Sequence, residues 1–272
     1  MSLAPLDKVD VLRRNNVRVL GDPDARPVVF AHGFGCSQEM WRKVVPQLAS
    51  DFRIVLFDHV GSGDSDLASY DAGKYDSLHG YAADVIEIFE ELGLEDAVFV
   101  GHSVSSMIGV LAATRRPDLF GALILVGPSP RYLDDGEYSG GFQQSDIDGL
   151  LDALDANYLG WSEAMAPQIM GNPEVPELGD ELTASFCRTD PVVASQFARV
   201  TFLSDNRRDL DKVMTPTLVV QCSDDIIAPD QVGRYVHEHI DGSDFVQLKA
   251  VGHCPNLSAP DELAAAILDY LR

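Results

Sequence analysis

The most informative segment of the sequence is Val98-Phe99-Val100-Gly101-His102-Ser103-Val104-Ser105-Ser106-Met107-Ile108. Its apolar first half ends at Gly101, and a run with helical character begins directly after Ser103. A strand that turns this sharply into a helix holds the side chain at the bend above the sheet, and it leaves the next backbone N–H at a helix start. Because G-x-S also occurs at ordinary turns and caps, a nucleophilic role for Ser103 needs support from the rest of the chain.

Six apolar runs predict buried strands, and each is nearly continuous rather than alternating, as in strands covered on both faces. The runs are 27–31, 53–58, 97–101, 122–126, 217–221 and 245–248. Helical patterns between them cover 40–48, 81–92, 103–114, 229–239 and 260–271. The segment 10–20 predicts two short strands around the turn-prone pair Asn15-Asn16. This alternation of strand and helix predicts an α/β fold with a mostly parallel, doubly wound sheet.

The alternation breaks between Pro128 and Leu210, where no buried strand is found in the pattern. Four helical segments are predicted there instead, at 147–154, 162–169, 177–186 and 191–202. An insertion of this size between two strands predicts a helical cap over the carboxyl edge of the sheet. The expected organisation is a core over 1–130, a cap over 131–210 and the rest of the core over 211–272.

Charge and composition exclude several classes of partner. The chain has 272 residues, with 20 basic and 43 acidic side chains and a formal net charge of −23. Such an acidic protein is a poor match for nucleic acid or for an anionic membrane. No signal-peptide pattern and no run of eighteen apolar residues are found, so a cytoplasmic protein, a monomer or weak dimer, is expected. The four scattered cysteines form no C-x-x-C pair and predict free thiols.

Two later strand ends supply the partners that a nucleophilic serine needs. Asp225 follows the fifth apolar run, and His253 follows the sixth in a loop flanked by glycine and proline. The chain order of serine, acid and base is that of α/β hydrolases. Asp224 competes with Asp225 for the role of the acid. Five further histidines compete for the role of the base: His32 precedes a glycine turn, and the others lack a strand-end position, namely His59, His79, His237 and His239.

Two glycine-containing turns follow other strands. In His32-Gly33-Phe34-Gly35 the N–H of Phe34 can join that of Val104 in an oxyanion hole, although a plain glycine turn is the simpler interpretation. Gly61-Ser62-Gly63-Asp64-Ser65 lacks the third glycine of a dinucleotide fingerprint, and Asp64 and Asp66 would repel a pyrophosphate. We therefore expect no nicotinamide, no other cofactor and no metal.

Taken together, the motifs HGFG, FDHVGSGDSD, GHSVSSMIG, QCSDDIIAP and GHCPN resemble the α/β-hydrolase superfamily. The cap sequences GPSPRYL, YSGGF, NYLGW, FCRTDP and SQFARVTFLSDNR are similar to the RsbQ-like hydrolases of bacterial stress signalling and to the plant strigolactone and karrikin receptors. The resemblance implies a mostly parallel eight-stranded sheet, a four-helix cap and an apolar pocket above the serine.

Carried over residue by residue, the resemblance implies a nucleophile at Ser103, a base at His253 and an acid at Asp225. It places oxyanion donors at Phe34 and Val104. It places substrate-binding positions on four cap residues, Phe142, Trp161, Met165 and Phe197. Met165 stands where the plant receptors have an aromatic side chain. The sequence departs from the usual elbow at Ser105, where glycine is common.

The leading expectation is a serine hydrolase acting on a small apolar ester or lactone, with a stress-signalling phosphatase as a possible partner. A ligand-responsive receptor with slow hydrolysis would carry the same triad and stays open. A cofactor-free haloperoxidase also keeps Ser-His-Asp, but the cap motifs favour the other two interpretations. A haloalkane dehalogenase needs aspartate at the elbow, so Ser103 excludes it.

Overall fold

The computed structural model describes residues 10–272. Its centre is a seven-stranded sheet with the order β1-β3-β2-β4-β5-β6-β7, in which β1 alone is antiparallel to its neighbour. This confirms the mostly parallel, doubly wound α/β sheet. The strands are Arg18–Leu20 (β1), Pro27–Ala31 (β2), Arg53–Leu56 (β3), Ala97–His102 (β4), Phe120–Val126 (β5), Thr217–Gln221 (β6) and Asp244–Gln247 (β7).

The sheet has one strand fewer than the expected eight within the described residues, and the difference lies in segment 10–20. The first of the two strands predicted there is a helical turn, Val11–Arg14. The Asp10 carboxylate accepts a hydrogen bond from the Arg13 amide at 3.0 Å and starts that turn. Asn16 then takes a positive φ of 46°, so that only β1 is left to pair with β3.

Helices cover both faces of the sheet. They are Val11–Arg14 (α1), Leu78–Leu92 (α2), Val104–Arg115 (α3), Gln144–Ala156 (α4), Tyr158–Met170 (α5), Pro176–Phe186 (α6), Pro191–Phe202 (α7), Arg207–Leu210 (α8), Asp230–His239 (α9), Pro255–Ser258 (α10) and Pro260–Leu271 (α11). The helix predicted over 40–48 is instead two 3-10 turns, Gln38–Trp41 and Val45–Gln47, because Pro46 has no N–H to continue a helix. Among residues 10–272, no helix has the length and apolarity to cross a membrane.

Helices α4 to α7 lie between β5 and β6 in the chain, where the sequence predicted four cap helices. They pack on one another and on the core. For example, the Tyr158 hydroxyl of α5 donates to the Phe186 carbonyl of α6 at 2.8 Å. Buried cap side chains such as Trp161 belong to the same apolar cluster as core side chains such as Trp41. The exact division at 131 and 210 stays a prediction.

Strand order determines where a site can form. The order reverses between β2 and β4, which are neighbours in the sheet although β3 separates them in the chain. In open parallel sheets, ligands bind at the carboxyl ends of strands beside such a reversal. The segments that follow β2, β4, β6 and β7 contain Phe34, Ser103, Asp225 and His253, in that order.

Candidate active site

The Ser103 backbone forms a sharp bend between β4, which ends at His102, and α3, which begins at Val104. Ser103 has φ 57° and ψ −124°, a conformation that non-glycine residues seldom adopt. Its amide donates to the Val126 carbonyl at 2.8 Å. A side chain is excluded two residues earlier, since a Cβ on Gly101 would lie 2.5 Å from the Ser105 carbonyl oxygen. The bend therefore holds the Ser103 hydroxyl at the carboxyl edge of the sheet.

Three predicted residues meet in one hydrogen-bonded chain. His253 Nε2 lies 2.7 Å from Ser103 Oγ, and His253 Nδ1 lies 2.7 Å from Asp225 Oδ2. The other carboxylate oxygen of Asp225 accepts from the amides of Ile227 and Ala228 at 2.8 and 3.0 Å. The side chains of Ser103, His253 and Asp225 are all buried. Since the carboxylate accepts from Nδ1–H, the neutral imidazole presents an unprotonated Nε2 to the serine.

The neighbouring Asp224 does not share this position. It is exposed, and its backbone forms a bridge with Val251. Its carbonyl accepts from the Gly252 amide at 2.7 Å, which joins the loop after β6 to the loop after β7. Asp224 thus shapes the loop through its backbone, while Asp225 faces the histidine.

The His253 loop is held from two sides. The His253 amide donates to the Ile169 carbonyl of α5 at 2.9 Å, and His102 Nε2 donates to the His253 carbonyl at 2.7 Å. Burial lowers the pKa of His102 to about 3, which keeps the ring neutral. Gly252 has φ +84°, and a Cβ there would lie 1.8 Å from the Met170 carbonyl oxygen. Sequence reasoning missed His102, although its place beside the elbow serine was a usable signal.

The turn after β2 brings Phe34 to the same edge. A Cβ on Gly33 would lie 2.8 Å from His102 Nδ1 and 3.3 Å from the Ser103 Cβ, so only glycine allows this approach. Val104 is the first residue of α3, where the helix dipole favours negative charge. No hydrogen bond to any part of 10–272 is found for the Phe34 or Val104 amide. Both amides are free to serve as donors.

A narrow apolar cavity opens above Ser103. Aromatic side chains dominate the wall: the Phe34 ring centroid lies 6.1 Å from that of Trp161 and 5.9 Å from that of Phe186. The lining residues are Phe34, Cys36, His102, Ser103, Tyr132, Trp161, Ile169, Leu182, Phe186, Thr201, Phe202, Ile227, His253 and Cys254.

The cavity wall differs from the expected set of substrate-binding residues. Trp161 lines it, whereas Phe142, Met165 and Phe197 do not. Phe142 pairs through its backbone with the segment at Leu133, and Met165 packs against the apolar cluster beneath the cap. Phe197 lies behind Phe34, where it stacks on Tyr81 at 4.5 Å between ring centroids. Substrate contact by Phe142, Met165 and Phe197 therefore stays a prediction, and the packing that sets their positions is not visible in the pattern of aromatic residues.

Tyr132 is a cavity residue that the sequence did not single out. It is 2% exposed and lies within hydrogen-bonding reach of the Ser103 side chain, while burial raises the pKa of its phenol to about 12. The wall also contains the free thiols of Cys36 and Cys254. Burial raises the pKa of Cys36 to about 12 and that of Cys254 well above its usual value, so neither competes as a thiolate nucleophile.

No metal-ligating group of three or more His, Cys, Asp or Glu side chains occurs in the part of the chain that the structure describes. The cavity is lined instead by the Ser103 hydroxyl and the His253 imidazole, and Asp225 bonds to the far side of that imidazole. A buried hydroxyl that donates to an oriented imidazole is suited to acyl transfer.

The sheet, the inserted helices and the chain order of the three residues define the class as that of the α/β hydrolases. Sequence comparison agrees, because residues 28–266 match the Alpha/beta hydrolase family. The chain belongs to this family.

Individual relatives cover almost the whole chain. The chain is 38% identical over 259 residues to a probable esterase of Oryza sativa subsp. japonica, covering 95% of this chain and 96% of the relative. It is 38% identical over 258 residues to the karrikin insensitive 2 receptor CA of Petunia hybrida, covering 94% and 95%. Among solved structures, olei00960, a hydrolase from Oleispira antarctica, is 40% identical with a TM-score of 0.93, covering 96% of both chains.

Proposed function

We propose that this α/β hydrolase cleaves a small apolar ester or lactone through an acyl-enzyme formed on Ser103. The observation that carries the proposal is the buried Ser103–His253–Asp225 chain, with two hydrogen bonds of 2.7 Å, at the floor of an apolar cavity. The similarity to a rice protein named as a probable esterase supports the choice of ester chemistry.

The proposed reaction has two halves, acylation and deacylation of Ser103. His253 Nε2 takes the Ser103 proton as Oγ bonds to the substrate carbonyl carbon, and the Phe34 and Val104 amides donate to the resulting oxyanion. His253 then passes the proton to the departing alkoxide oxygen. In the second half His253 takes a proton from water as the water oxygen bonds to the acyl carbon, and Asp225 stabilises the imidazolium. The bond from that carbon to Ser103 Oγ then breaks as His253 returns the proton to Oγ. The products are a carboxylic acid and an alcohol, or one hydroxy acid from a lactone.

The cavity supports a narrow substrate class. Its wall is mainly aromatic and aliphatic, and the polar side chains beside Ser103 and His253 are the uncharged His102, Tyr132 and Thr201. A charged acyl chain would lose its hydration without gaining an opposite charge from this wall. We therefore expect short, uncharged acyl groups to react faster than long or ionic ones.

A second candidate is a receptor whose slow hydrolysis marks ligand capture, and the name of the petunia relative favours it. The same triad would act, but the acyl-enzyme would persist and a protein partner, such as a stress-signalling phosphatase, would bind. Hydrolysis of a p-nitrophenyl ester separates the two: an enzyme shows sustained turnover, and a receptor shows one burst of product per protein molecule.

Labelling by a sulfonyl fluoride tests the nucleophile. We expect mass spectrometry to find one adduct on Ser103, and Ser103→Ala and His253→Ala to abolish it. Ser162→Ala is a matched control, since Ser162 is also buried but its hydroxyl donates to Tyr158 within α5. An adduct at another residue, or labelling that survives His253→Ala unchanged, would refute the proposed mechanism.

A further inference from the structure

A second buried polar network lies behind the turn that contains Phe34. Ser105 Oγ, in the first turn of α3, donates to the His32 carbonyl at 2.5 Å. His59 Nε2, from the segment after β3, lies 2.7 Å from the same hydroxyl. The His59 amide donates to His32 Nε2 at 3.1 Å, and His32 Nδ1 lies 2.9 Å from the Gly33 carbonyl oxygen. The three side chains are fully buried.

The partners fix the proton positions in this network. A carbonyl oxygen only accepts, so the Ser105 hydroxyl must donate to the His32 carbonyl and accept from His59 Nε2–H. His32 Nε2 accepts the His59 amide, so the His32 proton is on Nδ1 and points at the Gly33 carbonyl. Burial lowers the pKa of both histidines, which keeps them neutral in these tautomers.

One of these bonds acts on the peptide that contains the Phe34 amide. The Gly33 carbonyl and the Phe34 N–H belong to the same trans peptide plane and point in opposite directions. A hydrogen bond that holds the Gly33 oxygen on the His32 side therefore turns the Phe34 N–H to the opposite side. The Ser105 bond to the preceding carbonyl, that of His32, fixes the adjacent peptide as well. Ser105 thus orients the His32 peptide, while the Gly33 oxygen is held by His32 Nδ1 together with the Cys36 amide, which donates to it at 3.3 Å.

Aromatic rings hold His59 in place. Its ring centroid lies 5.2 Å from that of Phe57, 5.6 Å from that of Tyr81 and 4.7 Å from that of His32. Its Nδ1 has no hydrogen-bond partner within 10–272, so Nε2 is the atom through which this side chain acts. With glycine at position 105, the His59 donor and the His32 carbonyl would each lose the serine hydroxyl.

We propose that Ser105 and His59 are positioning residues that orient the Phe34 amide for the oxyanion. The inference rests on the proposed acyl-transfer function. This role would explain a serine at position 105, where the elbow motif of the family usually has glycine. Neither residue lines the cavity, so Ser105 acts through the His32 carbonyl and His59 acts through Ser105.

The test compares steady-state hydrolysis of p-nitrophenyl butyrate by the full-length protein and variants. Ser105→Ala and His59→Leu are expected to lower kcat by roughly tenfold, less than the roughly 10²–10³ that follows loss of an oxyanion donor itself, with KM nearly unchanged. Affinity for butylboronic acid, which forms a tetrahedral adduct on a nucleophilic serine, should fall by a similar factor. His59→Gln keeps a donor near the Nε2 position and should restore most of the loss.

Ser106→Ala is the matched control. Ser106 is the next residue of α3 and is equally buried, but its hydroxyl donates to the Gly101 carbonyl at 2.8 Å and does not reach the Phe34 turn. Its kcat should stay near that of the wild type. The double variant Ser105→Ala/His59→Leu should lose little more than either single variant, since both interrupt one network.

Failure of the inference is distinct from failure of the proposed function. If the wild type hydrolyses the ester through Ser103 but Ser105→Ala and Ser106→Ala have equal kcat, Ser105 has no positioning role. The same conclusion follows if Ser105→Ala raises KM and leaves kcat unchanged. If Ser103→Ala retains full wild-type hydrolysis, acyl transfer on Ser103 is refuted and the inference falls with it.

Discussion

The two oxygens of Asp225 face different partners. Oδ2 faces His253 Nδ1, while Oδ1 accepts two backbone amides of its own loop. An ionised carboxylate satisfies both sides because each oxygen only accepts. An amide cannot do so, since one of its two ends is a donor.

Asp225→Asn should therefore lower kcat by roughly 10⁴ while leaving the fold intact, because a donor facing Nδ1 favours the wrong tautomer of His253. Asp224→Asn, one residue away and exposed, should retain wild-type kcat. Ester hydrolysis together with the far-ultraviolet circular dichroism spectrum measures both effects. Equal losses in the two variants would contradict the assignment of Asp225.

Single residues differ in how far the sequence reveals them. Ser103, Asp225 and His253 could be predicted because each follows an apolar strand, and strand ends meet at one edge of the sheet. Phe142, Met165 and Phe197 could not be placed, since which face of a cap helix or loop meets the cavity depends on packing against other elements. Ser105 could be recognised as an unusual residue in the elbow motif. Its hydrogen bond to His59 could not be predicted, because His59 lies 46 positions away in the chain.

Close packing of β4 against α3 determines how the elbow is presented. Gly101 meets the Ser105 carbonyl, and Gly109 would place a Cβ 2.5 Å from the Phe99 ring. Glycine at both points lets the helix cross directly over the strand that precedes it. The sequence predicted these two elements well. The predictions for segments 10–20 and 40–48 were wrong, because a helix cap at Asp10 and a proline at position 46 override the apolar pattern.

Gly101→Ala should destabilise the protein by about 1–3 kcal/mol, since the added methyl meets backbone that cannot rotate away. Gly149→Ala is the control, because it lies inside α4 and a Cβ there meets nothing within 4 Å. That change should be neutral or stabilising by up to about 1 kcal/mol. Urea unfolding gives both values, and an unchanged midpoint for Gly101→Ala would show that β4 and α3 can separate at no cost.

At the scale of the whole molecule, buried neutral histidines connect the site to stability. Burial lowers the pKa of His32, His59 and His102 in the folded state. In the unfolded chain each imidazole regains a pKa of about 6.5. Below that pH the unfolded state binds more protons than the folded state, so the free energy of unfolding falls as the pH decreases.

We expect stability to be constant with respect to these groups above about pH 6.5, and to fall below it by up to about 1.4 kcal/mol per pH unit for each histidine. Urea unfolding at intervals between pH 7.5 and pH 5, which span the unfolded-state pKa of about 6.5, measures how the free energy of unfolding changes with pH. His59→Gln removes one of the three groups and should reduce the slope in proportion. A slope that is identical in His59→Gln and in the wild type would contradict a neutral, buried His59.

The distance along the chain between the serine and its base has a consequence for synthesis. Ser103 and His253 are 150 positions apart, and the whole cap is translated between them. A chain still attached to the ribosome can complete β4 and the elbow, but the imidazole that would accept the serine proton has not yet been made. Until that last loop has folded, Ser103 lacks the imidazole that activates its hydroxyl, so we expect the growing chain to resist acylation.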